Sequence, residues 1–249
     1  MSKNLWTRHE LILAFNSYCK VPFSKINKSN QYIIELAKAI NRTPSSVAWK
    51  LVNFASLDPK ITEKGLNGAK NVSKMDIAIF NEFNNNWNDL SIESEVLYDN
   101  VVNKVPSQTF ELKDGLEKEV VAKARINQDF FRNVILSSYN NQCCITGLNK
   151  PELLIASHIV PWSKDEANRT NPHNGLCLNA LHDKAFDKGL IGIDKNYKIK
   201  VSAKISEHLP NQAIEDNFVK YIEKETILPE KFLPSVEFLE WHLLNIYLK

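Results

Sequence analysis

No apolar run in this chain of 249 residues approaches the roughly 18 that a membrane span requires. The opening Met1-Ser2-Lys3-Asn4-Leu5-Trp6 also lacks the apolar core of a secretory signal. Cysteine is sparse, and Cys19, Cys143, Cys144 and Cys177 form no disulfide framework. A reducing, cytoplasmic setting with no membrane partner is therefore the expectation. Internal repeats and low-complexity blocks are missing as well. What remains is an ordinary globular composition, 43% hydrophobic and 24% charged, long enough for one large domain or two smaller ones.

Net charge is nearly absent too, at +2, but that figure averages unlike segments. Residues 1–74 hold 12 Lys/Arg against 4 Asp/Glu, whereas residues 75–125 hold 5 against 10. A positive N-terminal third is the electrostatic footprint of a module that binds a polyanion, although basic segments are often only solvated surface.

Thr7-Arg8-His9-Glu10 fits a capping box ahead of a helix that ends before Pro22. A second helix fits Gln31 to Ile40, and Asn41-Arg42-Thr43-Pro44 breaks it. Thr43 can cap a third helix, with Pro44 at its first position and Val47, Leu51 and Phe54 along one side. Helix, short turn and capped helix predict a helix-turn-helix whose second helix enters the major groove of double-stranded DNA. Its outward candidates are Ser45, Ser46, Trp49, Lys50 and Asn53. Lys64, within the basic stretch from Lys60 to Lys74, would track phosphates from a flexible loop or wing. The plainer reading is a helical packing module with a basic exterior.

Met75 to Trp87 reads as helical, and Asp89 to Glu119 as an acidic, partly helical connector. Beyond Arg125 come a helix, a strand over Leu153 to Ile159, a partner strand over Gly175 to Leu178 and a helix bearing His182. Two short strands and an amphipathic helix from Val236 to Tyr247 follow. The expected architecture is α+β: a mainly helical DNA-reading domain over 1–88, the connector over 89–124 and a second domain over 125–249.

The stretch from His158 to His182 holds three of the six histidines. Asn174 lies 16 residues after His158, and His182 follows 8 residues later. A β-hairpin followed by a helix can gather three side chains in that order around one metal ion. Cleaving a phosphodiester needs a base to activate water and a cation to stabilise charge on the phosphate and leaving oxygens. His158, ending a strand before Pro161, suits the base at neutral pH. Asn174 can bridge the hairpin backbone and orient that base. His182 and Asp183 offer nitrogen and oxygen ligands to a divalent metal, and Asp187, four residues on, shares a helix face with Asp183.

Residues 125–249 resemble the HNH, or ββα-metal, endonucleases. Four ordered motifs carry the resemblance: Cys144-Ile145-Thr146-Gly147, Ser157-His158-Ile159-Val160-Pro161, Asn174-Gly175-Leu176, and His182 through Phe186-Asp187-Lys188-Gly189-Leu190-Ile191. It implies a single-metal mechanism with His158 as general base, Asn174 structural and His182 or Asp183 binding the metal, with Mg²⁺ expected and Mn²⁺, Co²⁺ or Ni²⁺ as substitutes. Two departures stand out. Ser157 occupies the position where many members carry a metal-binding Asp or His. Many members also place the helix ligand nine residues after the Asn, which here is Asp183. Paired C-x-x-C knuckles are lacking, so no structural zinc is expected.

The N-terminal half is similar to reader segments attached to HNH nucleases of bacterial restriction systems. The similarity rests on Trp6-Thr7-Arg8, Tyr18-Cys19-Lys20-Val21-Pro22-Phe23 and Arg42-Thr43-Pro44-Ser45-Ser46-Val47-Ala48. A restriction endonuclease acting as a homodimer is implied, with Trp49, Phe54 or Trp6 as candidates to line a pocket for a methylated cytosine. The competing reading is a DNA-binding regulator that keeps a degenerate nuclease fold as a scaffold. A nonspecific or RNA-directed toxin nuclease is a weaker rival, since it would need no reader.

Overall fold

The computed structural model describes residues 5–63, 72–103 and 115–249. Lys64 and most of the expected basic loop lie outside the described residues. The chain divides into two compact units, Met1–Ser138 and Tyr139–Lys249. The architecture is α+β, and among the described residues the strands lie in the second unit. No helix among the described residues is long and apolar enough to cross a membrane.

The first unit is built around helix α1 (Arg8–Lys20), in which every residue from Leu11 to Cys19 is buried. Its capping box forms as the sequence predicts: the Thr7 side chain accepts from the Glu10 amide, and Glu10 accepts from the Thr7 amide at 2.7 Å. Helices α2 (Gln31–Ala39) and α3 (Pro44–Ala55) pack on each other and on α1, and Thr43 caps α3 ahead of Pro44. A short α4 (Pro59–Glu63), then α5 (Lys74–Asn84), α6 (Trp87–Tyr98) and α7 (Gly115–Ser138) complete the unit. Phe15 is the aromatic hub, with ring centroids 5.0 Å from Phe54 and 5.6 Å from Phe80.

The acidic stretch after residue 88 is not wholly a connector. Helix α6 buries Trp87, Leu90, Ser91 and Ser94 and packs on α1. The buried Asn16 amide donates to Ser94 Oγ at 2.6 Å. Helix α7 also packs on α1 and α6, and Ser137 Oγ donates to the Cys19 carbonyl at 2.7 Å. Its C-terminal half, which the sequence grouped with residues 125–249, thus completes the helical unit.

In the second unit, β1 (Leu154–His158) pairs antiparallel with β2 (Gly175–Asn179), and His158 faces Gly175 across the ladder. Asn179 then caps α8 (Ala180–Asp187), accepting from the His182 amide at 2.9 Å. This is a β-strand, β-strand, α-helix unit. A second hairpin, β3 (Ile191–Ile193) and β4 (Ile199–Val201), and the short helices α9 (Ala203–Ser206) and α10 (Gln212–Asn217) lead to α11 (Val236–Asn245), which packs on β3. Gly189, at φ +69°, ends α8 where the chain end crosses it. A Cβ there would stand 2.0 Å from the Ile246 carbonyl oxygen, so only glycine fits. His242 stacks on Phe186 at 3.7 Å and donates to the Phe186 carbonyl, closing the core behind α8.

Candidate active site

The loop between β1 and β2 sets the site. Asp165, Asn168, Asn171 and Asn174 recur every third residue, and their side chains lace the loop to itself. Asn168 Nδ2 donates to Asp165 at 2.7 Å, and Asn171 Nδ2 donates to Asn168 at 2.7 Å. Asn174, only 1% exposed, closes the loop: its Oδ1 accepts from Val160 N at 2.8 Å. Its Nδ2 donates to the carbonyls of Val160 at 3.1 Å and Asn168 at 3.2 Å. The amide therefore bridges the hairpin backbone.

His158 stands at the end of β1, where its ring Nε2 lies 2.8 Å from the Arg169 carbonyl. A carbonyl can only accept, so Nε2 carries the hydrogen and Nδ1 is the basic atom. Trp162 meets the imidazole edge-on at 5.6 Å, and the Arg169 guanidinium lies over the same indole at 5.1 Å. Burial pushes the imidazole below its ordinary value, partly opposed by the Arg169 carbonyl and the charge of Asp183. At neutral pH the ring is uncharged and able to accept a proton.

Asp183 is half-buried in the first turn of α8, close enough for its charge to act on both His158 and Asp187. Among the described residues no hydrogen bond or ion pair holds its carboxylate. Burial raises the Asp187 carboxyl, Asp183 raises it further, and Lys184 and Lys188 oppose both.

His182 is placed elsewhere. It is 1% exposed, Nε2 lies 2.7 Å from the Asn217 carbonyl and Nδ1 3.0 Å from Asn179 Oδ1. Phe218 and Tyr221 cover the ring edge-on at 5.5 and 5.9 Å. Burial raises the Cys143 thiol, yet hydrogen bonding with His182 and Thr146 brings it down to about 7. Both imidazole nitrogens face oxygen atoms of the fold. The structure thus sets the expected ligand His182 against Asn179, Asn217, Phe218 and Tyr221, whereas the charge of its neighbour Asp183 acts on His158.

Ser157 is 3% exposed and its hydroxyl has no partner among the described residues. Strand alternation turns it to the face opposite His158. His173 lies against the C-terminal segment, its Nδ1 2.6 Å from the Leu233 carbonyl. Among the described residues no three His, Cys, Asp or Glu side chains are grouped to hold a metal ion.

Residues 143–194 match the family model of the HNH endonucleases. The matched segment spans the turn at Cys143, both strands of the hairpin, α8 and β3, and supports a nuclease of the HNH type. No curated protein matches the chain. HNH nucleases generally use a divalent metal, and the donors in the matched segment fit one. An uncommitted carboxylate beside a neutral imidazole suits a hard ion that takes its other ligands from water and phosphate oxygens.

In the first unit, Ser45 and Trp49 do face outward, Trp49 with 64% of its surface exposed, and Ser46 is half-buried. Lys50 does not, and Asn53 is half-buried. Lys50 is 7% exposed and grips Asp76 at 2.8 and 2.9 Å, while Asn53 Nδ2 donates to the same carboxylate at 3.2 Å. The expected outward placement of Lys50 is corrected: with Asn53 it ties α3 to α5. Phe54 is fully buried, and Trp6 lies under Arg42 at 4.2 Å and Lys50 at 5.1 Å. A depression of about 380 Å³ lined by Asn41, Arg42, Thr43 and Ser46 adjoins the start of α3.

Proposed function

We propose that the second unit hydrolyses phosphodiester bonds of double-stranded DNA, with His158 as general base and Asp183 as the principal metal-holding residue. The observation that carries this reading is the anchored imidazole: Nε2 bound to the Arg169 carbonyl, beside an uncommitted Asp183. Nδ1 takes a proton from the attacking water, and the Arg169 carbonyl steadies the imidazolium that results. Asn174 holds the loop carrying that carbonyl, so it acts as a positioning residue. Asp183, with Asp187 as a further carboxylate, would hold the divalent ion, Mg²⁺ by the hardness of the donors, with Mn²⁺, Co²⁺ or Ni²⁺ as substitutes. When bound, that ion supplies positive charge to the phosphate and leaving oxygens.

The first unit is the DNA reader in this proposal, with Ser45, Ser46 and Trp49 on the presented face of α3. Joined to the nuclease, it makes the protein a restriction-type endonuclease. One such centre cuts one strand, so a double-strand break takes two copies. A dependence on cytosine methylation would rest on Trp49 and the neighbouring depression, since Phe54 and Trp6 are covered. Digestion of methylated and unmethylated copies of one plasmid tests that point; equal cutting removes it. The DNA-binding regulator is kept in view by Ser157, whose buried hydroxyl stands where a ligand is common among HNH nucleases. The deciding assay is plasmid nicking with Mg²⁺, Mn²⁺ or Ni²⁺ by the wild type and His158→Ala. Loss of nicking in the variant supports the nuclease; equal background in both leaves the regulator standing.

A further inference from the structure

We propose that the Arg169 guanidinium contacts a phosphate of the cleaved strand, and that Glu166 occupies it until DNA takes the carboxylate's place. The inference rests on the nuclease reading above and adds a residue to it. Arg169 Nε donates to the Trp162 carbonyl at 3.0 Å, and the guanidinium lies over the Trp162 ring. Those two contacts fix the plane of the fork. The only other partner of the fork among the described residues is Glu166, which accepts from Nη1 at 3.0 Å. An arginine carries five N–H donors, so most of them have no protein acceptor here.

Three features make this a phosphate contact rather than a settled ion pair. The Glu166 side chain is 84% exposed, so the pair is screened by solvent and salt and is worth little. A phosphate can take two parallel N–H bonds from the same fork, a geometry that arginine matches better than lysine does. The position is also right. Guanidinium and imidazole pack on one indole, at 5.1 and 5.6 Å from its centroid, so they lie no more than about 11 Å apart. At a rise of roughly 3.4 Å per nucleotide along one strand, that places Arg169 within about three nucleotides of a bond attacked from His158. The residue's own carbonyl meanwhile holds His158, so the backbone hydrogen bond survives any side-chain substitution at this position.

The test measures binding of the full chain to a short DNA duplex, in chelator and in a His158→Ala background, over a range of salt. Adding Arg169→Gln should weaken binding about tenfold and lower the slope of log K against log salt by about 0.9, the value of one lost phosphate contact. Arg169→Lys should keep the slope while binding more weakly than the parent. Glu166→Gln should tighten binding roughly threefold, and by more than Glu152→Gln, which removes another exposed carboxylate of the same unit. A merely structural Arg169 would alter thermal stability and leave the slope unchanged, and that result overturns the proposal. If Arg169→Gln does not fold, Glu166→Gln decides: no tightening beyond Glu152→Gln also overturns it. Nicking by the wild type is scored separately. Absence of cleavage would sink the nuclease reading, whereas cleavage with an unchanged slope would sink only the role of Arg169.

Discussion

Replacing Asn174 by Asp changes one atom in a side chain that is 1% exposed, and the structure dictates a large effect. The Oδ1 contact to Val160 N at 2.8 Å survives. The former Nδ2 position then sets a carboxylate oxygen against the Val160 and Asn168 carbonyls, which the amide met at 3.1 and 3.2 Å. Two hydrogen bonds become repulsions, and each buried carbonyl left unmatched costs about 1–3 kcal/mol. Burying the charge adds several kcal/mol more, so the loss is on the order of 5 kcal/mol at pH 7. Asn174→Ala leaves groups unsatisfied but buries no charge, and should lose about 3 kcal/mol. Asp is therefore worse than Ala, although it resembles Asn more closely. Burial raises the new carboxyl above its unfolded value, so the penalty is full at neutral pH and shrinks as pH falls towards about 4, where a protonated carboxyl can again donate. Because the loop carries the carbonyl that fixes His158, kcat should fall about 100-fold in either variant. Urea melts at pH 7 and pH 4.5, each scored against the wild type, with single-turnover nicking at neutral pH, check the argument. An Asp variant as stable as the wild type at pH 7, or a deficit indifferent to pH, would refute it.

Lys50→Ala should destabilise the protein by about 3–5 kcal/mol, because it strands the buried Asp76; the salt dependence of DNA binding should stay as it was. His182→Ala should lower the melting temperature yet leave the metal optimum of nicking unchanged, whereas Asp183→Asn should raise the metal concentration needed for half-maximal rate by at least about tenfold. His242 is held down to about 4 by burial, against the opposing hydrogen bond to the Phe186 carbonyl. The unfolded chain takes up that proton first, so stability should fall by about 3 kcal/mol as pH drops from about 6.5 to about 4. Thermal melts across that window should flatten in His242→Gln.

Much of this was legible in the sequence wherever a local rule sufficed. The Thr7 capping box, the Thr43-Pro44 start of α3 and the hairpin bearing His158 and Asn174 are set by side chains acting within a few residues. Lys50 was misplaced because residue type was weighed above period. Lys50 follows Val47 by three and precedes Leu51 and Phe54 by one and four, the spacing of a single buried stripe. Its charge suggested solvent, but Asp76, 26 residues later, waits on α5. His182 offered a ligand by chemistry, yet its partner is a backbone carbonyl at Asn217, which no side-chain pattern announces. The Arg169 carbonyl is hidden in the same way, since every residue has one. The three-residue spacing of Asp165, Asn168, Asn171 and Asn174 was visible and marks the loop that delivers that carbonyl.

The placement of α7 bears on how the protein can be divided for experiment. Phe131, Val134 and Ile135 are each at most 2% exposed, on a helix that leans on α1 and α6. A fragment begun near residue 125 would carry that oily stripe away from its seat and clump in solution. The mirror-image cut would leave the helical half with an open flank. Scission at the Ser138–Tyr139 junction keeps each half with the helices it grew up with, and is where a separable nuclease should be sought.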